Sequence, residues 1–324
     1  MDSQYHIQIV ITFKLRSNGK ISQTYFVITM KKLLITGASG FLGWNICQQA
    51  ESDWRIFGTI YSHSANIPGV ALVKIDLTIF NDLKKLFRET KPAAVIHAAA
   101  LSDPNFCQED HDTSYRINTE AAINIAGCCS DLEIPCLFIS SDLVFDGLNP
   151  PYSEEDEPSP LNVYGEHKLM AEIGMKSRCA SVVICRMPLM FGSSGPTGSS
   201  FLQPLLRQMR LGIEVNLFVD EFRTPLSGKN AVEGLMIALE RLPDVVHLGG
   251  VERISRYEFG KLVMDVFNFR NAKLNPCRQQ EIQMAAPRPR DVSLTNAKAM
   301  QMGFLPDAIK VSLERLKAVA DKKV

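Results

Sequence analysis

Tyr164 and Lys168 are four residues apart, and Ser141 precedes them at the end of an apolar run. Residues four apart lie on one face of a helix. The Lys168 ammonium can then stabilise a phenolate and draw the pKa of Tyr164, ordinarily about 10, toward working pH, as acid catalysis of carbonyl reduction requires. Ser141 can donate a hydrogen bond to the substrate oxygen as charge develops on it. These three residues therefore predict reduction of a keto group.

A second pair with the same spacing, Tyr257 and Lys261, makes the spacing a weak signal on its own. Position separates the two pairs. Tyr164 follows an apolar strand by one loop, whereas Tyr257 opens a late amphipathic helix. We therefore interpret Tyr257 as structural. If the register of the motif is shifted by one residue, Ser140 takes the role assigned here to Ser141.

Three glycines occur where the first predicted strand turns into a helix, in the segment Thr-Gly-Ala-Ser-Gly-Phe-Leu-Gly. Gly37 permits a tight turn, Gly40 lets the backbone approach a pyrophosphate, and Gly43 lets the helix pack closely on the sheet. The helix N-terminus offers unpaired N–H groups and its positive dipole end to phosphates. The spacing is GxxGxxG, not GxGxxG, and a glycine turn without a ligand is the alternative. The residues expected to hold a dinucleotide are Gly37, Ser39, Gly40, Phe41, Leu42 and Gly43.

The choice of dinucleotide depends on the end of the second strand, Tyr61-Ser62-His63-Ser64, which has no carboxylate to hold a ribose 2′-hydroxyl. The Ser62 hydroxyl and the His63 imidazole can bind a 2′-phosphate instead, although no arginine is present there. We therefore favour NADP(H) over NAD(H). Asp76, followed by Leu77 after the third strand, can accept a hydrogen bond from the adenine amino group, or it simply ends a strand.

Near-continuous apolar runs alternate with helical segments from residue 32 onward. Such strands indicate a parallel sheet with both faces covered. The predicted fold class is α/β, a Rossmann-type doubly wound parallel sheet whose ligands bind at the carboxyl ends of the strands. After Pro188 the elements become shorter and indicate a smaller C-terminal α/β substrate lobe. The predicted strands are Leu33–Ile35, Arg55–Tyr61, Val70–Ile75, Ala93–His97, Cys136–Ser140 and Ser181–Cys185.

The predicted organisation has three parts. Residues 1–30 form an N-terminal extension that we expect to be dispensable, because the first strong strand starts only after it; the alternative is an extra edge strand at Gln23–Ile28. Residues 31–190 form the NAD(P)-binding domain. Residues 191–324 form the substrate-binding lobe, with about 229–250 returning to the first domain.

The 324 residues include 35 Lys and Arg against 35 Asp and Glu, so the formal net charge is zero. Such a chain has no general field for nucleic acid or anionic lipid, and we expect neither as a partner. Eight cysteines without a CxxC pair, no long apolar run and no credible signal peptide predict a cytoplasmic protein. Cys107 and His111 share a loop, but two residues do not make a zinc site, so no metal is expected.

The segments that carry a family resemblance are LLITGASGFLG, VIHAAA, ISSDLVFDGLNPPYSEEDEPSPLNVYGEHK, ICRMPLMFG and APRPRDVSL. The chain resembles the extended short-chain dehydrogenases/reductases. Within that group it resembles the dTDP-4-dehydrorhamnose reductase family over roughly residues 31–320, and the related regulatory beta subunit of methionine adenosyltransferase. The resemblance implies an NAD(P)H-dependent reductase whose small-molecule partner is a nucleotide-activated keto sugar, with a homodimer as an open alternative to a monomer.

The resemblance also implies roles for individual residues. Tyr164 would be the proton donor, Lys168 its partner on the nicotinamide ribose and Ser141 the carbonyl-orienting hydroxyl. Asn118 resembles an asparagine that supports the lysine through water; the alternative is an amide on a helix surface. The remaining positions implied for the cofactor are Ala98, Ala99, Ala100 and Pro188.

One segment, Asp220-Glu221-Phe222-Arg223-Thr224-Pro225, replaces a Gln- and Gly-containing stretch of the family and changes the expected sugar-nucleotide pocket. Arg223, Arg288 and Arg290 can clamp a substrate diphosphate bidentately, or they form salt bridges. A reductase, a non-catalytic regulatory subunit that binds a cofactor, and an epimerase or dehydratase all stay open. We expect Asp142 to point away from Ser141 along the strand, which disfavours a dehydratase.

Overall fold

The computed structural model describes residues 30–50, 54–62 and 65–321 with their side chains, and residues 9–17 and 20–28 as backbone. The strands are β1 (Ile9–Ser17), β2 (Lys20–Ile28), β3 (Lys31–Thr36), β4 (Trp54–Ile60), β5 (Ala71–Lys74), β6 (Ala94–His97), β7 (Cys136–Ser141), β8 (Val182–Met187), β9 (Met190–Phe191), β10 (Glu214–Phe218), β11 (Phe222–Arg223), β12 (Leu226–Ser227), β13 (Val245–His247), β14 (Ile254–Ser255) and β15 (Lys273–Cys277).

The helices lie between these strands and at the C-terminal end. They are α1 (Phe41–Gln49), α2 (Phe80–Thr90), α3 (Pro104–Glu109), α4 (His111–Tyr115), α5 (Ala121–Asp131), α6 (Val163–Arg178), α7 (Leu202–Arg210), α8 (Gly228–Arg241), α9 (Arg256–Phe267), α10 (Ala297–Gln301) and α11 (Ile309–Asp321). A π-helical turn, Arg116–Glu120, joins α4 to α5, and 3₁₀ turns cover Asp142–Val144 and Gln279–Glu281.

Seven parallel strands form the central sheet, in the order β13-β8-β7-β6-β3-β4-β5. Successive side chains of a strand point to opposite faces. In β3, Leu33 and Ile35 pack with α1 and α8, whereas Leu34 packs with α2, α5 and α6. Both faces are therefore apolar, which explains the near-continuous hydrophobic runs. The doubly wound α/β fold class is confirmed, and β13 adds a seventh strand that the sequence did not predict.

The smaller lobe packs around its own apolar cluster. β10 pairs with β15 in parallel, and β11 pairs with β14 in antiparallel orientation. Side chains from α7, α9 and α11, among them Leu205, Phe259, Val263 and Leu313, fill the space between them. The chain returns from this lobe to the main sheet through α8 and β13.

Strands β1 and β2 pair with each other in antiparallel register as a separate two-stranded sheet. The segment at Gln23–Ile28 is thus a strand, as the alternative expected, and its partner is β1 instead of a strand of the central sheet. That residues 1–30 are dispensable stays a prediction.

All eight cysteines lie among the described residues, each is buried, and none forms a disulfide. They act as small apolar side chains, as expected from their scattered spacing. No helix within the described ranges is both long and apolar enough to cross a membrane.

A buried ion pair lies beneath the carboxyl end of the sheet. Arg186 of β8 donates to Glu172 of α6 at 2.8 Å, and both side chains are about one-twentieth exposed. Ser140 donates to the same carboxylate at 2.5 Å, and His247 Nε2 lies 3.5 Å from Arg186 Nη1. Two charges removed from water are tolerated only when they remain paired and hydrogen-bonded. This pair therefore fixes α6 against β7 and β8.

We expect Glu172→Gln to lower the free energy of unfolding by about 3 kcal/mol, because the substitution leaves the buried Arg186 without a counterion. The double variant Glu172→Met/Arg186→Met should recover most of that loss, since neither charge then remains buried alone. Denaturant unfolding followed by circular dichroism measures both values. Glu89→Gln, which breaks an exposed pair with Lys85, is the control and should change stability by less than about 0.5 kcal/mol. Parental stability of Glu172→Gln would contradict the assignment.

Candidate active site

A cavity of about 610 Å³, here called the main cleft, opens where the carboxyl ends of β3, β6, β7 and β8 face the smaller lobe. Its lining combines the glycine turn, the ends of these strands, the start of α6 and arginines of the smaller lobe. The predicted site residues that line it are Gly37, Ser39, Gly40, Phe41, Leu42, Gly43, Ala98, Ala100, Ser141, Tyr164, Pro188, Arg223 and Arg288.

Ser141 and Tyr164 both line the main cleft. Ser141 ends β7, and Tyr164 lies in the first turn of α6. The start of this helix is fixed by its N-cap, because the Asn162 side chain accepts from a backbone N–H at 2.9 Å. Ser140 instead turns its hydroxyl to Glu172, behind the strand. Both serines line the cleft, but the Ser140 hydroxyl is bonded to Glu172, which leaves Ser141 as the serine that we assign to the carbonyl.

Lys168 follows Tyr164 by one helical turn and is only 1% exposed. Its Nζ lies 3.9 Å from the centroid of the Phe138 ring. Burial lowers the pKa of Lys168 to about 7, and the Glu172 carboxylate opposes this shift. His97 stacks on the same ring, and burial, followed by the charge of Lys168, lowers the pKa of His97 to about 3. His97 is thus a buried core residue, and its Nδ1 lies 2.7 Å from Thr36 Oγ1.

Burial, and then the negative charge of Asp142, raise the pKa of Tyr164 above its ordinary value of 10. The expectation that Lys168 draws this pKa downward is therefore wrong for this structure. A buried phenol beside a carboxylate keeps its proton at neutral pH. Such a group is suited to donate a proton to an alkoxide that develops in the cleft.

Asp142 lines the main cleft, so the expectation that it points away from Ser141 is wrong. The strand ends at Ser141, and the 3₁₀ turn that begins at Asp142 breaks the alternation of faces. Ser141 Oγ donates to Asp142 Oδ1 at 3.1 Å. The orientation of Asp142 therefore no longer disfavours a dehydratase.

A line of buried charges connects Asp142 to the smaller lobe. Arg223 Nε lies 3.4 Å from Asp142 Oδ2, and Arg223 Nη2 lies 3.4 Å from Glu221 Oε1. Arg256 Nε donates to the same Glu221 oxygen at 2.8 Å. Burial raises the pKa of Asp142 to about 6 despite Arg223. Burial also acts to raise the pKa of Glu221, but Arg256 and Arg223 outweigh it and hold that pKa at about 2.

The arginines do not all reach the cleft. Arg223 and the half-buried Arg288 line it, whereas Arg290 is exposed and lies outside its lining. The expectation that Arg290 clamps a substrate is therefore not supported. Arg256, which sequence reasoning missed, is the first residue of α9 and lines the cleft. The only sequence signal next to Arg256 is the capping box at Ser255. A capping box predicts where a helix begins, but not which part of the protein its first residue contacts.

The glycine turn has the geometry expected for phosphate binding. Gly37 has φ of +71°, and a Cβ there would lie 2.8 Å from Ala99 Cα. The first turn of α1 has no side-chain cap, because Gly40 occupies the N-cap. Its N–H groups are therefore available to phosphate oxygens. The loop after β9 closes one side of the turn, where Thr197 Oγ1 donates to Ser39 O at 3.0 Å.

A second cavity of about 510 Å³, here called the side pocket, lies at the ends of β4 and β5. The Asp76 carboxylate, at its wall, accepts hydrogen bonds from the Thr78 backbone and hydroxyl at 2.9 and 2.7 Å. Among the described residues Arg116 is the one cationic side chain in the lining. The sequence near the end of β4 has no arginine, but the fold places this one, from the π-helical turn, in the same pocket. His63 lies outside the described residues. The predicted residues in this lining are Gly37, Ser62, Asp76, Leu77, Ala99 and Ala100.

The main cleft and the side pocket share Gly37 and Ala100. A dinucleotide can therefore extend from one cavity to the other across the glycine turn, with its diphosphate at the start of α1. The residues present fit such a cofactor.

Asn118 lies in the π-helical turn and is 1% exposed, so it is not an amide on a helix surface. Its Oδ1 accepts from Leu101 N at 2.9 Å, and its Nδ2 donates to Leu101 O at 3.0 Å. The side chain thus fixes the end of the loop that carries Ala98–Ala100 past both cavities. Support of Lys168 through water stays a prediction.

A doubly wound parallel sheet, a glycine turn after its first strand and a Ser–Tyr–Lys set at the strand ends define an extended short-chain dehydrogenase/reductase. The chain belongs to the RmlD substrate binding domain family, whose model matches residues 30–320. Methionine adenosyltransferase 2 subunit beta of Xenopus laevis is 27% identical over 293 residues, which cover 88% of this chain and 86% of that protein.

Solved structures share the fold. The dTDP-4-dehydrorhamnose reductase of Bacillus anthracis, in complex with NADP, superposes with a TM-score of 0.81 at 23% identity and covers 90% of this chain and 99% of that one. A hypothetical dTDP-4-dehydrorhamnose reductase of Sulfolobus tokodaii superposes with a TM-score of 0.73 at 29% identity, over 83% of this chain and 94% of that one. The first likeness shows the fold alone.

We expect Asp142→Asn to stabilise the protein at pH 7 by about 3 kcal/mol. Burial raises the pKa of Asp142 from 3.8 to about 6, so ionising this carboxyl at pH 7 costs more free energy in the folded chain than in the unfolded chain. Asparagine removes that difference because it carries no charge. Below about pH 4 the carboxyl is protonated in both the folded and the unfolded chain, so the gain should vanish there. Urea unfolding at a series of pH values measures this. Asp131→Asn, at the exposed end of α5, is the matched control. A pH-independent difference would contradict the burial of an ionised Asp142.

Proposed function

We propose that this chain reduces a keto group of a nucleotide-activated sugar with a nicotinamide cofactor. The observation that carries the proposal is that Ser141 and Tyr164 together line a cleft that begins at the uncapped start of α1 and ends at three arginines. Cofactor, reacting carbonyl and anionic substrate group can therefore be arranged along one cleft. A solved relative that is 29% identical supports the class of reaction, since it is named as a hypothetical dTDP-4-dehydrorhamnose reductase.

Tyr164 donates the proton in this proposal. Its raised pKa keeps the phenol protonated at neutral pH, so it can transfer that proton to the substrate oxygen as the carbonyl becomes an alkoxide. Ser141 has one hydroxyl proton, which it donates to Asp142 Oδ1 in this structure and turns to the same substrate oxygen when the carbonyl binds. The bound nicotinamide supplies the hydride. Lys168 is buried one helical turn after Tyr164 and lines neither cavity, so its contact with the nicotinamide ribose stays a prediction.

The smaller lobe recognises the anionic part of the substrate. Arg223 is committed to Asp142 and Glu221, and its Nη1 donates to Phe222 O at 2.7 Å. Arg256 and Arg288 also line the cleft and retain further N–H groups, so they are the side chains that we assign to a substrate diphosphate. Burial lowers the pKa of Arg288, but an arginine stays charged at neutral pH.

NADPH is the cofactor that we propose. The end of β4 has no carboxylate to hold a 2′-hydroxyl, and the Ser62 hydroxyl and the Arg116 guanidinium both line the side pocket. A guanidinium near the adenosine ribose accommodates a 2′-phosphate. A solved relative holds NADP.

We expect Tyr164→Phe to lower kcat for NADPH-dependent reduction of dTDP-4-dehydrorhamnose by about 10²- to 10⁴-fold, because the proton donor is lost while the ring remains. NADPH binding should be unchanged. Stopped-flow absorbance at 340 nm gives the rate, and fluorescence titration gives the affinity. Tyr257→Phe, in the second pair with the same spacing but outside both cavities, is the control. Undiminished turnover by Tyr164→Phe would overturn the proposed role.

We expect Arg116→Gln to weaken NADPH binding by about tenfold, since a charge-assisted hydrogen bond contributes about 1.5 kcal/mol or more, and to leave NADH binding unchanged. The simpler pair 2′,5′-ADP and 5′-AMP should show the same selective loss in calorimetric titrations. Arg88→Gln, exposed on α2, is the matched control. Equal weakening of both cofactors would show that Arg116 does not read the 2′-phosphate.

The Xenopus laevis relative favours a second candidate function, that of a cofactor-binding regulatory subunit without catalysis, because its name is that of a subunit of methionine adenosyltransferase. The two candidates differ in a simple assay. Co-purification with a methionine adenosyltransferase catalytic subunit, together with no NADPH oxidation in the presence of any 4-keto sugar nucleotide, would support the second. Reduction of a keto sugar nucleotide that disappears in Tyr164→Phe would support the first.

A further inference from the structure

Residues 192–200, here called the strap, run from the end of β9 across the first two turns of α1. Asn45 Nδ2 of this helix donates to Ser193 O at 3.0 Å, although the two residues are 148 positions apart in the sequence. Gly195 packs on the indole of Trp44, because a Cβ on this glycine would lie 2.5 Å from Trp44 Cδ1. The strap is therefore fastened along the helix whose start we assign to the cofactor diphosphate.

Two consecutive residues of the strap contact the glycine turn itself. Thr197 Oγ1 donates to Ser39 O at 3.0 Å. A Cβ on Gly198 would lie 2.9 Å from both Gly40 C and Phe41 N, so Gly198 packs directly on the peptide group that joins these two residues. Gly198 is not among the glycines with a positive φ. A glycine is thus needed at this position for close approach and not for a left-handed backbone.

The Gly40–Phe41 peptide group directs an N–H group toward the phosphate site. Gly40 O accepts from Trp44 N at 3.0 Å, which points this carbonyl along the helix. The peptide bond is trans, and the N–H of a trans peptide points opposite to its C=O. The Phe41 N–H therefore points out of the open end of α1, where a phosphate oxygen can accept from it.

We propose that Thr197 and Gly198 are positioning residues for the cofactor diphosphate, because they hold the Gly40–Phe41 peptide group in the orientation that phosphate binding requires. The inference rests on the proposed function, which places a dinucleotide at the start of α1. A turn rich in glycine has many accessible conformations, and fixing one of them before the ligand arrives lowers the entropic cost of binding. Both strap residues line the main cleft beside the turn, so they can support it from that side.

The test measures the Kd values of NADPH and NADH by fluorescence titration of the full chain and its variants. We expect Thr197→Val to weaken the binding of both cofactors about fivefold, the factor that one hydrogen bond of ordinary strength represents. Gly198→Ala should weaken both by about tenfold or more, because the added Cβ forces the strap away from the peptide group. Thr197→Ser keeps the hydroxyl, and Ser193→Ala changes an exposed side chain of the same strap. Both controls should bind as the parent does.

Adenosine 2′-monophosphate separates positioning of the diphosphate from a general disturbance of the domain. This probe has no 5′-phosphate and fills only the side pocket in the proposed arrangement, so its affinity, measured by competition with NADPH, should be the same in the parent, Thr197→Val and Gly198→Ala. Thermal unfolding verifies that each variant is folded. Loss of affinity for this probe by the same factor as for NADPH would overturn the inference, since the effect would then not come from the diphosphate.

The remaining outcomes distinguish this inference from the proposed function. Parental affinity of Thr197→Val and Gly198→Ala for both cofactors would overturn the inference and leave the reductase intact. Weakened dinucleotide binding in these variants, together with no reduction of a keto sugar nucleotide by the parent, would support the inference and overturn the reductase. A parent chain that binds neither NADPH nor NADH overturns both.

Discussion

In a parallel sheet all the strands end at the same edge, and this constraint brings the glycine turn, Ser141 and the start of α6 together. Thr36, His97, Ser141 and Met187 end β3, β6, β7 and β8, and the glycine turn and the first turn of α6 follow from two of these ends. Burial of both sheet faces leaves this edge as the one place where strand ends can meet a ligand. The edge of the sheet therefore forms one wall of the cleft, and the smaller lobe forms the facing wall.

Charged side chains of the sheet and of the smaller lobe meet at the cleft. Asp142 belongs to the sheet, whereas Glu221, Arg223 and Arg256 belong to the smaller lobe, and ion pairs connect the four across the cleft. Burial makes this arrangement costly for Asp142, whose pKa is raised to about 6. Carboxyl groups with perturbed pKa values concentrate at functional sites, and Asp142 lines the same cleft as Ser141 and Tyr164. The zero net charge of the chain is compatible with this, because the field that a substrate meets is local.

Local spacing was a reliable guide wherever one element alone positions the side chains. The four-residue interval between Tyr164 and Lys168 follows from helix geometry, and the glycine turn follows from the strand-to-helix transition. Prediction failed where an irregular turn sets the direction of a side chain, or where contacts between distant segments set its pKa. Asp142 was expected on the opposite face, but a 3₁₀ turn begins at that residue and ends the alternation. Tyr164 was expected to have a lowered pKa, but burial and Asp142 raise it.

The sequence by itself determined the fold class, the dinucleotide turn and the identities of the Ser–Tyr–Lys set, because helix periodicity, strand alternation and glycine conformations are properties of short segments. The tertiary structure alone decided which arginines face the cleft. It brings Arg256 and Arg116 to the two cavities and leaves Arg290 outside. Long side chains on separate elements acquire a common direction only when those elements pack, and packing depends on the burial of apolar faces far from the arginines themselves.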